Sequence, residues 1–388
     1  DKCGIVPVSE SNLPIKFPEK VKFGEGNPLK TSKNFINTKC PNCKGKARRE
    51  TDTMDTFFDS SWYFLRFTDS KNKKEAFAKE KASYWMPIDF YTGGAEHATM
   101  HLIYARFFTK ALRDLGLVKI DEPFKRLFNQ GMVHGKDGFV MSKSRGNVID
   151  PMEITKKYSS DTLRLFLVSM ASPDKDFSWN PEGIEGSWKF LNKVYNFIAN
   201  FHAVSNSTLK IEHKLNKAIK EITHSIENLK YNLAIIKLRE LFSVIEEENK
   251  ISKKDLESFI KLLTPFCPHM AEELWQRLKN KGLISQESWP RADDAKINPE
   301  LEKQEKILEQ TMEDINNIIR IIKEKQNKDA KIIYIYAIPN EINLYNSEYL
   351  SKKLNKEIKV FAVNDKNKHD PQNKASKAKP GRPAIYVE

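Results

Sequence analysis

Apolar residues recur three and four positions apart through the second half of the chain. Ala218, Ile219, Ile222 and Ile226 fall on one side of a helix predicted over 216–228, and Ile235, Leu238, Leu241, Phe242 and Ile245 on one side of another over 235–245. Stripes of that width need partners, and a bundle is the economical way to supply them, so the pattern predicts helical structure from about 180 to 285. Upstream the period changes. Between 53 and about 165, short strand-like runs (88–91, 126–129) alternate with a helix-like run over 100–115, which predicts an α/β unit with a parallel sheet. Ligands of such sheets bind beyond the carboxyl ends of the strands. Gly93-Gly94 and Gln130-Gly131 each follow a strand-like run and fall at that place. After Trp289-Pro290 the pattern predicts a helix over 301–325 with Met312, Ile315, Ile318, Ile319 and Ile322 as its apolar face, strands over 331–337 and 358–363, and an apolar strand after the turn at Lys379-Pro-Gly381. Residues 1–52 are loop-rich. The expected fold class is α/β plus all-α, in four segments: a connector (1–52), an α/β unit (53–178), a helical bundle (179–295) and a small α/β terminal domain (296–388).

Charge adds a class of partner. With 65 Lys and Arg against 52 Asp and Glu the chain of 388 residues carries +13, which suits a polyanion, though charge alone does not separate RNA from a membrane surface. Residues 351–388 hold ten Lys or Arg and four Asp or Glu, a net +6 and nearly half of the excess. No apolar run approaches the roughly 20 residues a membrane span needs, and no secretory signal opens the sequence. The expected location is the cytoplasm, with no membrane partner. Of four cysteines, two form Cys40-Pro-Asn-Cys43, which suits metal binding in a reducing compartment better than a disulfide framework.

The chemistry is concentrated in Val140-Met-Ser-Lys-Ser-Arg-Gly-Asn-Val-Ile-Asp150. A lysine on a small, mobile, Ser-flanked loop can follow negative charge as it develops on departing phosphate. This segment resembles the Lys-Met-Ser-Lys-Ser loop of class I aminoacyl-tRNA synthetases, with Pro151, Tyr158, Asp161, Leu163 and Arg164 at the family's spacing. Two upstream segments, Asp52-Thr-Met-Asp-Thr-Phe-Phe-Asp-Ser-Ser-Trp-Tyr63 and Tyr91-Thr-Gly-Gly-Ala-Glu-His97, narrow the resemblance to the bacterial leucyl-tRNA synthetases and differ from the isoleucyl and valyl enzymes. Further matches run through Phe128 to Val133, Phe177 to Trp179, and Pro265 to Trp275.

The resemblance implies the second half of a Rossmann-type catalytic domain, an anticodon-binding bundle and a tRNA-binding terminal domain. It also implies activation of leucine with ATP and Mg2+ and transfer to tRNA-Leu. By that resemblance Lys143 is the catalytic lysine of the loop. Glu96, Gln130, Val133, Met141, Ser142, Lys143 and Ser144 bind ATP, Glu96 through the ribose and Val133 through its backbone toward adenine. Phe57, Tyr63 and His97 line the leucine pocket. Val140 stands where the family has the first signature lysine; Lys136 and Arg145 are the nearest replacements.

Cys3, Cys40 and Cys43 resemble three of the four ligands of a Zn2+ ribbon, one short of a closed tetrahedral site. The alternative is three free thiols left by a decayed site. The His-Ile-Gly-His element of the family's ATP site does not occur in the sequence, nor does the editing domain that the family inserts after it. The expectation is a carboxy-terminal half, either a separate subunit or a fragment, that needs an amino-terminal half for catalysis. The alternative function is a noncatalytic tRNA-binding protein descended from a synthetase.

Overall fold

The computed structural model describes residues 1–23, 26–202, 204–326 and 329–388, in two compact units, Asp1–Gly131 and Met132–Glu388. In the first unit, α1 (Lys33–Ile36) leads into an antiparallel hairpin of β1 (Asn37–Lys39) and β2 (Lys46–Arg48), closed by the Cys40 to Cys43 turn. Three short helices follow: α2 (Thr56–Ser60), α3 (Tyr63–Thr68) and α4 (Lys79–Trp85). Strand β3 (Tyr91–Gly94) then leads through a single-turn 3-10 helix (Ala95–Thr99) into α5 (His101–Asp114), and β4 (Leu127–Gln130) pairs with β3 in parallel. The expected strands thus start one to three residues late: Ile88 forms only an isolated bridge to Phe124 before the ladder begins. Phe64, Leu65, Phe77, Ala82 and Ala105 form the core that fixes α3, α4 and α5 together.

The second unit opens with β5 (Val133–His134), paired in parallel with β6 (Phe177–Ser178). Between them lie α6 (Pro151–Tyr158) and α7 (Ser160–Met170). The sequence starts α6 by local means: the Asp150 carboxylate accepts from Met152 N (2.8 Å), and Pro151 takes the first turn, where no amide partner is needed. Asn180 and Pro181 repeat the device at α8 (Pro181–Ala199). The bundle continues with α9 (Leu209–Glu227), α10 (Tyr231–Glu248), α11 (Lys253–Leu263) and α12 (Pro268–Arg277). Thr208 and Ser252 cap α9 and α11 through their hydroxyls. The stripes read from the sequence are buried as one core: Ile222, Ile235, Leu238, Phe242 and Ile245 join Phe259, Leu263 and Cys267. At about 1.5–3 kcal/mol for each fully buried large aliphatic or aromatic side chain, this core is a main source of the unit's stability.

Helix α13 (Pro299–Gln326) and α14 (Ser347–Leu354) accompany a three-stranded sheet in the order β8 (Glu357–Ala362), β7 (Ile332–Ala337), β9 (Ala384–Val387). Strand β7 is parallel to β8 and antiparallel to β9. The run Ile-Ile-Tyr-Ile-Tyr-Ala is apolar on both faces because both faces are covered. Ile333, Ile335 and Ala337 pack with Ile315 and Leu350, while Tyr334 and Tyr336 pack with Ala375 and Phe361 on the other side. The basic terminus is therefore a folded module, its strand β9 closing the sheet.

Candidate active site

In the first unit, the carboxyl ends of β3 and β4 and the helices beside them enclose a cavity of about 420 Å3. That size lies within the range of small-molecule sites, about 300–1,000 Å3. Phe57, Tyr63, Glu96, His97 and Gln130 all line it. Each arrives by a different local route. Asp55 caps α2 by accepting from Phe57 N (2.7 Å), which sets the start of the turn that carries Phe57. The register of the parallel pair places Gly94 opposite Gln130. The 3-10 turn after Gly94 then brings the Phe57 and His97 rings edge to face, 5.8 Å between centroids.

Gly94 is required by approach rather than by φ. A Cβ there would sit 2.1 Å and 2.3 Å from the two carboxylate oxygens of Glu96, so only glycine lets that carboxylate fold back over the end of β3. Glu96 remains about half exposed, 3.9 Å from His97 Nε2. His97 Nδ1 is buried with no hydrogen-bond partner among the described residues. A bare polar atom in an otherwise satisfied wall marks where a ligand group or a water belongs.

A hydrogen-bonded series stiffens the back of the cavity. Tyr63 and Tyr91 hydroxyls lie 2.9 Å apart, and Tyr91 Oη lies 2.7 Å from His101 Nε2. Tyr91 stacks on Phe124 at 3.7 Å. Burial pushes the Tyr91 phenol up, and burial, then the neighbouring His97, holds the His101 imidazole down, so at neutral pH both stay uncharged. Sequence reasoning gave Tyr91 and His101 no part in the cavity. The signal was there in Tyr91, the first residue of the Tyr-Thr-Gly-Gly segment, at the strand position whose side chain faces α3.

The loop residues gather in the second unit. Val133 lies in β5, and its carbonyl accepts from Met141 N (3.0 Å), so the strand ties down the start of the loop. Ser142 is extended, residues Lys143–Arg145 form one 3-10 turn, and Gly146 closes it with φ +68, a left-handed conformation that suits glycine. Ser142 and Ser144 hydroxyls lie 3.2 Å apart, and Lys143 is exposed. Arg145 lies over the Phe139 ring at 4.4 Å, a stacked position beside the hairpin.

The Cys3, Cys40 and Cys43 sulfurs lie within 4.8 Å of one another in the first unit. Backbone N–H groups of Cys43 and Asn42 point at the Cys40 sulfur and bring its pKa down to about 7; hydrogen bonds to Cys43 and Cys40 raise Cys3 to about 11. Three soft donors at this separation, with amides already aimed at one sulfur, suit Zn2+, whose bonds to thiolate sulfur are about 2.3 Å. Cys267 is a buried core residue at the turn just before α12, not within a helix.

Residues 17–180 match the class I tRNA synthetases (I, L, M and V), and residues 209–334 match the anticodon-binding domain of tRNA ligase. Leucine–tRNA ligase of Thermosipho melanesiensis is 46% identical over 319 residues and that of Thermotoga maritima 45%, each over 76% of this chain and 38% of the relative. The enzyme of Dehalococcoides mccartyi is 44% identical over 310 residues, with the same coverage. The chain thus spans about two-fifths of the length of these curated relatives. A solved ternary complex of Agrobacterium radiobacter LeuRS with tRNA and LeuAMS aligns with a TM-score of 0.68 at 30% identity, over 91% of this chain and 46% of that one. No helix among the described residues is long and apolar enough to cross a membrane. The chain is therefore a homologue of the leucine–tRNA ligases, carrying a class I tRNA synthetase domain followed by their anticodon-binding domain.

Proposed function

We propose that the chain serves ATP-dependent activation of leucine and its transfer to tRNA-Leu. The observation that carries this reading is the cavity at the carboxyl ends of β3 and β4. It joins an apolar and aromatic wall (Phe57, Tyr63) to a part-exposed imidazole whose buried Nδ1 has no partner among the described residues (His97) and to a carboxylate at the rim (Glu96). The aromatic wall takes the leucine side chain, with His97 closing it. Glu96 accepts from ribose hydroxyls, which a half-exposed carboxylate does without the cost of burying a lone charge. Gln130, Val133 and Met141 contact the adenylate end, and Ser142 and Ser144 keep the loop small and polar. Lys143 moves with the loop and meets the charge that builds as pyrophosphate leaves the Mg2+-bound ATP. The bundle and the basic terminal module hold tRNA, with domains dividing near residues 52, 178 and 295. The reading assigns the rest of the ATP site to an amino-terminal portion of the ligase fold outside these 388 residues, in keeping with the 38% of the relatives that the chain spans.

Leucine-dependent exchange of pyrophosphate into ATP tests this. The chain alone is expected to show none, and addition of the remaining portion of the fold to restore it. Lys143→Ala then slows exchange about 100-fold, equivalent to about 3 kcal/mol of lost electrostatic stabilisation. Tight tRNA binding with no exchange under any combination would establish the noncatalytic reading instead.

A further inference from the structure

Lys143 stands on a turn with few interactions of its own, and a side chain three residues after the five signature positions 140–144, in the same segment, holds that turn in shape. Strand β5 passes through a tight hairpin at Gly135 to Gly138, where Gly138 N donates to Gly135 O (3.1 Å) and Gly135 N to Phe139 O (2.8 Å), and returns as Val140 opposite His134. The chain then makes the signature turn and arrives at Asn147. The Asn147 carboxamide faces both segments. Its Oδ1 accepts from Ser142 N (2.9 Å), the amide just before Lys143. Its Nδ2 donates to the Asp137 carboxylate (3.1 and 3.2 Å) and reaches the Val140 and Phe139 carbonyls (3.3 and 3.4 Å).

Two further observations show that this contact is built in. A Cβ on Gly135 would stand 2.8 Å from Asp137 Oδ1 and 3.1 Å from Asn147 Nδ2, so glycine there leaves the space that the pair fills. The Asn147 amide, with the Phe139 N–H behind it, also holds the Asp137 carboxyl below its usual range, which keeps it an acceptor. An amide is the side chain this place needs, because it must accept from a backbone N–H on one side and donate to a carboxylate on the other. Aspartate would keep the first contact and set two negative charges about 3 Å apart in the second.

We propose that Asn147 is a positioning residue for Lys143: its carboxamide locks the 142–146 turn onto the 135–139 hairpin and so fixes where the ammonium is presented. The inference rests on the role given to Lys143 above, but it has a readout that does not. In the full chain, trypsin cleavage after Lys143 and Arg145, followed by mass spectrometry, reports the hold on the turn directly. Asn147→Asp is expected to speed that cleavage at least fivefold. The swap Asp137→Asn with Asn147→Asp restores a donor and acceptor in exchanged places, and should bring the rate back to within about threefold. In the ligase reconstituted with its remaining portion, Asn147→Asp should lower kcat for leucine-dependent exchange about tenfold at unchanged KM for leucine. The same substitution should cost less than twofold when Lys143 is already alanine, because the ammonium it positions is gone. Unchanged cleavage in Asn147→Asp overturns the lock whatever the activity. Equal losses with and without Lys143 overturn the positioning role, leaving a structural one. Full exchange by Lys143→Ala overturns the reading of the lysine and, with it, the catalytic consequence of Asn147, while the cleavage result still judges the lock.

Discussion

Gly94→Ala separates the shape of the cavity from the stability of the fold. Gly94 has φ −70 and ψ 149, extended backbone that alanine adopts freely, and the change removes conformational freedom from the unfolded chain. The melting temperature should therefore stay within a few degrees. The cost falls on Glu96. The three nearest atoms to the new methyl are its two carboxylate oxygens and Cδ, at 2.1, 2.3 and 2.4 Å, all inside the 3.0 Å that real Cβ contacts respect, so the carboxylate must retreat by about 1 Å or more. It can do so by rotating a flexible side chain, which is why the fold tolerates it. A carboxylate moved that far loses its charge-assisted bonds to a ribose, about 1.5–3 kcal/mol, or about 10- to 100-fold. In the ribose-holding role proposed for Glu96 the contact is made equally to bound ATP and to the transition state, so the loss should appear in KM for ATP with kcat nearly unchanged. Exchange kinetics at varied ATP, beside a melting curve of the same preparation, read both quantities. An unchanged KM for ATP would refute the ribose role of Glu96. A large fall in melting temperature would show that the backbone, not Glu96, gives way.

Three further outcomes are expected. The chain should bind about one Zn2+, more weakly than a closed four-thiolate site, and Cys40→Ser should abolish binding; cobalt substitution, read by thiolate charge-transfer absorption, checks this, and undiminished binding in the variant would exclude the ligand set. Asp161, buried at 4% exposure, accepts from Met270 N (2.7 Å) and His269 Nδ1 (2.8 Å) and so caps α12 from α7. Asp161→Ala should cost about 2 kcal/mol by leaving that helix end unpaired, seen as faster amide exchange across α12, and an effect below about 0.5 kcal/mol would mean that water replaces it. His213 is buried, and its Nδ1 accepts from Asn298 N (3.1 Å), a bond open only to the neutral ring; burial holds its pKa below the ordinary 6.5. Its contribution is fully present above about pH 6.5 and is lost as pH falls through the depressed folded value, since the unfolded state takes the proton first. The protection of the Asn298 amide, its exchange rate relative to an unstructured amide at the same pH, should fall below pH 6.5, and His213→Gln should remove that loss; protection independent of pH in the parent chain would refute it.

Local periodicity determined much of this protein. The stripes over 216–228 and 235–245 became α9 and α10, the run at 331–337 became the two-faced central strand β7, and the caps at Asp150, Asn180, Thr208 and Ser252 start their helices as side chains of their type do anywhere. The signature turn and the Cys40 to Cys43 knuckle were legible for the same reason: a few consecutive residues make them. The tertiary structure decided everything that needed two distant segments to meet. It put Phe57 against His97 and brought Gln130 to the same cavity, joined Tyr63 to His101 through Tyr91, set Asp161 at the start of a helix 108 residues further on, and closed Asn147 on Asp137. Sequence states which donors and acceptors exist. Which of them pair depends on distances of a few tenths of an ångström, set by how the strands register and how the helices pack, and no spacing along the chain encodes that.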